Sequence, residues 1–221
     1  MGTLSIVATP IGNLEDITLR ALRTLKECDV IYAEDTRVIS KLLARYEIKK
    51  PLQRLDAAME MKRADQIIER LEAGERVVFV SDAGTPGISD PGARLVAQVR
   101  SQLPNATIEA IPGASALTAA LSIAGLDMTG FTFHGFLPHK KGRQTALKSI
   151  TASELPAVLY ESPHRILKLL KELESVSRVT IARELTKIHE EVISSTPKEA
   201  LDHFTKNPDT VRGEFVVIVE P

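Results

Sequence analysis

The sequence predicts an α/β protein built from two α/β domains, residues 1–126 and 127–221, and three observations carry that prediction. Short apolar, β-branched runs at 4–8, 30–33, 77–80 and 107–111 alternate with helix-compatible spacing, the pattern of a mostly parallel sheet with helices on both faces. Several of these runs end in segments dense in Gly, Pro, Ser or charge rather than in tight turns. Near residues 126–130 the rhythm breaks, and the remaining runs are spaced more like hairpins.

Taken in order, 4–8 reads as a buried strand ended by Thr9-Pro10-Ile11-Gly12-Asn13. Asp16 or Thr18 can cap the helix that follows, with Leu19, Leu22 and Leu25 spaced for one buried face. The strand 30–33 runs into Glu34-Asp35-Thr36-Arg37, a knot of charge where a strand hands over to a helix at 38–46; Asp35 or Thr36 serves as an N-cap, or the knot is a site. A charged amphipathic helix at 61–73 stops at Gly74 and feeds the strand 77–80. The loop after it, Ser81 to Gly92, carries Gly84, Gly87 and Gly92 with Pro86 and Pro91, and is longer than the usual ~2 to 6 residues of such a connection. Ligands bind at the carboxyl ends of strands in open α/β sheets, so a stiff, open turn there is a candidate site. The strand 107–111 leads to Pro112-Gly113-Ala114-Ser115-Ala116, small residues that let a ligand approach the backbone.

In the second half, 131–137 reads as a strand, followed by a basic loop (His139, Lys140, Lys141, Arg143) and a helix to about 150. Strands at 158–160, 179–182, 189–194 and 215–219 follow, with helices at 165–173 and 198–204. Glu161-Ser162-Pro163-His164-Arg165 and Arg183-Glu184-Leu185-Thr186-Lys187 lie at the strand ends.

Composition narrows the function classes. With 43% hydrophobic and 26% charged residues the chain reads as an ordinary soluble protein, and 114–126 falls short of the ~20 apolar residues of a membrane span. No secretory signal pattern opens the sequence, and the single Cys28 reads as a small core residue, so a cytoplasmic protein is expected. A net charge of −1 argues against a uniformly basic nucleic-acid binder but allows a local patch. Gly-x-Gly and Gly-Lys-Ser/Thr are both missing, the five histidines lack zinc spacing, and no Gly-x-Ser-x-Gly occurs, so dinucleotide, P-loop, metal and serine-hydrolase readings fall away.

The remaining signal is a set of strand-end clusters. Ser81, Asp82, Ala83, Gly84, Thr85 and Ile88, with Ser115 and Ala116, are expected to hold a small cofactor, mainly through backbone groups. Asp35 and Arg37, and Glu184 and Lys187, set opposed charges at a strand-to-helix handover and are expected on the acceptor side as catalytic residues. Lys140, Lys141 and Arg143 form the local basic patch, expected to neutralise the phosphates of a nucleic-acid substrate. Among the strand-end carboxylates Glu34, Asp35, Glu161 and Glu184, the residues alone do not single out a general base.

The chain resembles the tetrapyrrole methylase superfamily, and within it the ribosomal RNA small subunit methyltransferase I family. The resemblance rests on Thr9-Pro-Ile-Gly-Asn-Leu14, Ala33-Glu-Asp-Thr-Arg37, Ser81-Asp-Ala-Gly-Thr-Pro86, Asp90-Pro-Gly92, Gly135-Phe-Leu-Pro138, Lys141-Gly-Arg143, Tyr160-Glu-Ser162, His164-Arg165, Ala182-Arg-Glu-Leu-Thr-Lys187 and Gly213-Glu214, which occur in order over almost the whole chain. It implies S-adenosyl-L-methionine held in the cleft between two α/β domains, with Pro10, Tyr160, Leu185 and Gly213 joining the cofactor set. It also implies 2′-O-methylation of a cytidine in the decoding region of small-subunit (16S) rRNA by a homodimer. A tetrapyrrole (precorrin-type) C-methyltransferase and a non-catalytic RNA-binding ribosome assembly factor are the alternatives. Two departures stand out. A histidine-rich family segment is replaced here by Leu55-Asp56-Ala57-Ala58-Met59-Glu60, and a further C-terminal helical segment common in the family does not follow Pro221 in this sequence; the expectation is either that RNA docking is reduced or differently achieved or that the segment has been trimmed from the sequence.

Overall fold

A computed structural model describes residues 1–56 and 59–221, with backbone alone at 60–62, so Ala57 and Ala58 of the replaced histidine-rich segment lie outside the described residues. The chain divides into two compact units, Met1–Ser115 and Ala116–Pro221.

The first unit contains β1 (Thr3–Val7), α1 (Leu19–Glu27), β2 (Val30–Ala33), α2 (Thr36–Arg45), β3 (Leu52–Arg54), α3 (Glu60–Glu72), β4 (Arg76–Val80), α4 (Ala93–Gln102) and β5 (Thr107–Ile111). Its sheet has the order β3-β2-β4-β1-β5, and every pairing is parallel. A parallel sheet covered on both faces needs apolar residues at successive positions, which is why β2 and β4 read as unbroken runs. Alternate residues serve opposite sides: Ile31, Ala33, Val78 and Val80 pack with α1 and α2, while Val30, Tyr32, Val77 and Phe79 pack with α3 and α4. The Thr18 side chain caps α1 by accepting the Ala21 N–H at 3.0 Å, but the buried face of this helix is the i, i+4 pair Ala21 and Leu25. Leu19, expected inside, is 86% exposed because it sits at the first turn and points off that face. Cys28 closes α1 inside the core, and burial pushes its thiol up to about 11, leaving it a protonated core side chain.

The second unit contains α5 (Ala116–Ile123), β6 (Thr132–Phe136), α6 (Arg143–Thr151), β7 (Ala157–Glu161), α7 (Ile166–Glu172), β8 (Val179–Arg183), β9 (Glu191–Ser195), α8 (Pro197–Lys206) and β10 (Phe215–Val219). Because α5 packs on β10, the boundary lies at 115 rather than at the expected 126. The sheet order is β6-β7-β10-β8-β9, with β6 and β7 parallel and every other pair antiparallel. All five residues of β10 are buried between β7 and β8. A full capping box, Thr196 with Glu199, starts α8 at Pro197.

One expectation is overturned here. Arg143 is not part of an exposed basic loop: it is 3% exposed, at the first position of α6. Its Nε and Nη2 donate to Glu172 Oε2 at 2.9 and 2.6 Å, and Nη1 lies 3.8 Å from Glu161 Oε2. Glu161 is also buried; its Oε1 accepts the Ser162 N–H at 2.8 Å and sits 2.7 Å from Arg165 Nε. Arg165 in turn donates to the Leu137 carbonyl at 2.9 Å. Buried and engaged with Glu172 and Glu161, Arg143 is not presented to an RNA phosphate without breaking these pairs, so it leaves the RNA-binding set. Its role is to pin α6, α7 and the end of β7 together. Removing one partner of a buried ion pair costs about 3–5 kcal/mol. Arg143→Ala should therefore lower stability by an amount of that order in urea denaturation, and a loss below about 1 kcal/mol, the scale of surface pairs, would show the network to be dispensable.

Candidate functional site

Because the five strands of the first unit run parallel, their following loops leave from one edge. There, Thr9 and Gly84 exchange backbone hydrogen bonds, Thr9 N–H to Gly84 at 2.9 Å and Gly84 N–H to Thr9 at 3.0 Å. The Thr85 hydroxyl donates to the Ala114 carbonyl at 3.2 Å, and the Ala8 N–H donates to Ile111 at 3.1 Å. Ser81 holds the inner turn, its Oγ donating to the Gly84 carbonyl at 3.2 Å while its own carbonyl accepts from Thr9 Oγ1 at 3.3 Å. The loops after β1, β4 and β5 are thus stitched into one surface that brings together Pro10, Ser81, Ala83, Gly84, Thr85 and Ser115. Gly84 has φ +79°, and a Cβ there would meet Ile11 Cγ2 at 3.3 Å and the Ala114 oxygen at 3.5 Å. Only glycine takes that conformation at no cost. Ile88 lies further along the same loop, and Ala116 opens the second unit.

The loop after β2 is tied to the same surface by Asp82. Its Oδ1 accepts the Asp35 N–H at 2.8 Å, so part of this carboxylate, expected on the cofactor, is occupied in fixing the start of α2. Asp35 caps α2 through the Arg37 N–H at 2.8 Å and takes the Arg37 Nε on both oxygens at 3.0 Å. Arg37 is otherwise 88% exposed, a guanidinium held in place and presented to solvent. The hydrogen bonds from Arg37 hold the Asp35 carboxyl down to about 2. Burial, then the charge of Asp82, raises Glu34; burial, then the charge of Asp35, raises Asp82. Residue types alone could not separate these three adjacent acids. Burial raises two of them and the Arg37 side chain lowers the third.

In the second unit, the ends of β7 and β8 and the start of β10 share one edge, since Phe215 is in register with both Glu161 and Arg183. This edge gathers Tyr160, Glu184, Leu185, Lys187 and Gly213. Glu184 and Thr186 have φ of 52° and 67°, left-handed conformations uncommon outside glycine. The Glu184 carboxylate accepts from Lys187 Nζ at 2.7 Å and from the Glu214 N–H at 3.1 Å, and Lys187 also donates to Glu214 Oε2 at 3.0 Å. Burial raises the Glu184 pKa, but the Lys187 and Glu214 hydrogen bonds outweigh it and hold the group below the ordinary carboxylate value. Burial lowers Lys187, and its two carboxylate partners raise it further than burial lowers it. Gly213, at φ +84°, makes room for Glu184: a Cβ there would collide with the Glu184 Cδ, Oε1 and Cγ. Tyr160 packs edge-on against Phe133 and Phe136, at 5.1 and 5.7 Å between ring centroids, and Phe136 is 55% exposed. These two phenylalanines went unassigned in the sequence, where a strand that alternates Phe with Thr and His gives no sign of which face meets Tyr160. Among the described residues no group of three His, Cys, Asp or Glu is placed to hold a metal ion.

Two measurements follow. The Asp35 contribution to stability is present above the unfolded carboxylate pKa and is lost as pH falls toward its folded value of about 2. Chemical denaturation between pH 6 and about 2 should show a steeper acid loss in the wild type than in Asp35→Ala; parallel curves would mean the cap carries no linkage. Gly213→Ala should cost more than the roughly 1–2 kcal/mol of a left-handed backbone, because it also evicts Glu184. In an E184A background the cost of Gly213→Ala should fall back to the backbone part, and strict additivity of the two changes would show that they do not touch.

The family described as tetrapyrrole (corrin/porphyrin) methylases matches residues 3–201. A ribosomal RNA small subunit methyltransferase I of Thermotoga maritima is 44% identical over 222 residues, covering 99% of this chain and 98% of the relative. The protein of the same name from Synechocystis sp. is also 44% identical, covering 99% of this chain and 79% of its own length. Among solved structures, a diphthine synthase superposes with a TM-score of 0.77 at 16% identity, covering 99% of this chain and 90% of the other. A cobalt precorrin-4 methyltransferase superposes with a TM-score of 0.70 at 20% identity, covering 99% and 94%. At such identities these two share the fold, whereas the two bacterial relatives are 44% identical along 99% of this chain. The chain belongs to the tetrapyrrole methylase family and has the fold of that family, alongside the relatives named ribosomal RNA small subunit methyltransferase I.

Proposed function

We propose that this chain is an S-adenosyl-L-methionine-dependent methyltransferase that modifies the 2′-oxygen of a cytidine in the decoding region of small-subunit (16S) rRNA, acting as a homodimer in the cytoplasm. The observation that carries this reading is the 44% identity, over 99% of the chain, to relatives named for small-subunit rRNA methylation. Among the described residues no helix is long and apolar enough to cross a membrane, which is compatible with a ribosomal substrate.

The cofactor would supply an activated methyl group on sulfur. The loop from Ser81 through Ile88, with Pro10 and Ser115, suits such a ligand: its side chains are short and Gly84 leaves no Cβ in the way. On the second unit, Ala116, Tyr160, Leu185 and Gly213 are proposed as cofactor-binding residues. In the transfer the ribose O–C bond forms as the C–S bond breaks, and the hydroxyl proton must leave. A general base works best when its pKa approaches the working pH. Asp35 is held to about 2 and Glu184 is held low, so both stay ionised and are weak proton acceptors. Glu34, raised by burial and by Asp82, is the more basic neighbour, and we assign it the proton. Arg37 and Lys187, each fixed by a carboxylate, would position the anionic acceptor. With Arg143 withdrawn, the exposed Lys140 and Lys141, in the loop that leaves β6 at the same edge as the end of β7, would remain as RNA contacts.

Transfer of labelled methyl from the cofactor should occur to purified small subunits, with less to naked rRNA and none to a porphyrinoid. The product should be an alkali-resistant dinucleotide, the mark of a 2′-O-methyl group. Label on the porphyrinoid would turn the reading to a tetrapyrrole C-methylase, and binding without any transfer would turn it to an assembly factor. Glu34→Gln should lower turnover on the order of 10²-fold with cofactor affinity unchanged; normal turnover would remove Glu34 as the base.

A further inference from the structure

The first unit has a second concave surface, which none of the proposed cofactor or catalytic residues lines. It is a groove of about 340 Å³ between α1 and the edge strand β5, floored by β1. Thr3, Ser5, Thr107 and Glu109 enter it from positions before the ends of their strands, and of its lining only Ile111 reaches a strand end.

Three arginines line the groove. Arg20 and Arg23 stand three residues apart on α1, hence on neighbouring turns of one face, and Arg76 comes from the start of β4. Arg76 is paired with Glu27 at 3.2 Å, whereas among the described residues no ion pair to a carboxylate holds Arg20 or Arg23. The other carboxylate of the groove, Glu109, accepts the Ser5 hydroxyl at 2.7 Å. Two exposed guanidiniums with open donors, in a groove whose acids are already engaged, fit the planar, multi-oxygen geometry of phosphate.

The lining also selects the kind of phosphate. It contains no aromatic side chain or histidine, so a nucleotide base would find nothing to stack on. It does contain hydroxyls and carboxylate oxygens beside the arginines, groups that can hydrogen-bond a ribose 2′-hydroxyl, the atom that distinguishes RNA from DNA. The open edge of β5 adds outward backbone groups along the same line. We infer that this α1–β5 groove holds the phosphodiester backbone of RNA through Arg20 and Arg23, with 2′-hydroxyls meeting Glu109 and the neighbouring hydroxyls. The inference rests on the rRNA reading above and gives that reading a second, distant anchor on the substrate.

The test uses the whole protein, a short single-stranded RNA from the small-subunit rRNA, and DNA of the same sequence. Binding is measured across a salt series for the wild type and for Arg20→Gln/Arg23→Gln. Each phosphate contact on a single strand adds about 0.7 to the steepness of the log–log salt dependence, so losing two should flatten it by roughly 1.4. The variant should bind RNA more weakly with that flatter slope, should keep wild-type cofactor affinity by calorimetry, and the wild type should prefer RNA to DNA. An unchanged slope in a variant whose wild-type parent binds RNA would overturn the groove and leave the rRNA reading standing. A wild type that binds the RNA no better than the DNA would remove the assigned 2′-hydroxyl recognition. A wild type that binds neither would overturn the groove, while the rRNA reading stands or falls separately on methyl transfer to purified small subunits.

Discussion

The first unit depends on a two-bond backbone exchange between Thr9 and Gly84. A pair of parallel neighbours such as β1 and β4 normally separates after the last rung, because each chain must turn back over a different helix. Here the two loops stay joined for one more antiparallel bridge, and that joint decides where the chain can go next. It turns the loop after β4 inward over the ends of β1 and β5, and Thr85 and Ser81 extend the seam on either side. Asp82 carries it sideways to α2. A surface made of backbone groups and short side chains results, rigid without being packed by large residues. Such preorganisation suits a ligand recognised mainly through the main chain.

The second unit reaches a comparable result by different means. Its edge is organised by an ion-pair relay, Glu184 to Lys187 to Glu214, seated against a glycine that has no room for a side chain. Two left-handed non-glycine residues in the same turn cost free energy, and that cost is offset by the hydrogen bonds they permit. Deeper in the unit, the buried Arg143, Glu161, Arg165 and Glu172 hold two helices to one strand end. Charge here fixes the backbone at two levels, in the core and at the rim.

Much of the strand pattern was legible in the sequence because it is written in local runs. The β2, β4 and β10 segments are short, apolar and bounded by Gly, Pro or charge, so period and punctuation suffice. The cap at Asp35 was legible for the same reason. Arg143 was not: its sequence neighbours are lysines and a histidine, while the acid that neutralises it is 29 residues away. The α1 face was legible at Leu22 and Leu25, which pack on the core, but not at Leu19, which lies at the first turn, and the buried Ala21 was missed because a lone alanine carries little weight in a pattern of leucines. The placement of α5 depends on its contact with β10, nearly a hundred residues later, which no local signal encodes. At the candidate site the residue types were legible, but the ranking of the carboxylates was not. Protonation there follows from how deeply each carboxylate is buried and which charged partner reaches it, and both are properties of the folded loops.

The position of β10 has a consequence for how the protein is made. On a chain emerging from the ribosome amino end first, the first unit has all five of its strands by residue 111 and can close early. The second sheet cannot. Until residues 215–219 arrive, β6–β7 and β8–β9 are two separate pairs with facing unpaired edges, and the strand that joins them is apolar at every position. Two-stranded pieces are marginal in water. The nascent second unit is therefore exposed to mispairing for most of its synthesis and is committed only at its last strand, so a stalled or cut chain lacking that strand would carry a folded first unit beside an aggregation-prone remainder.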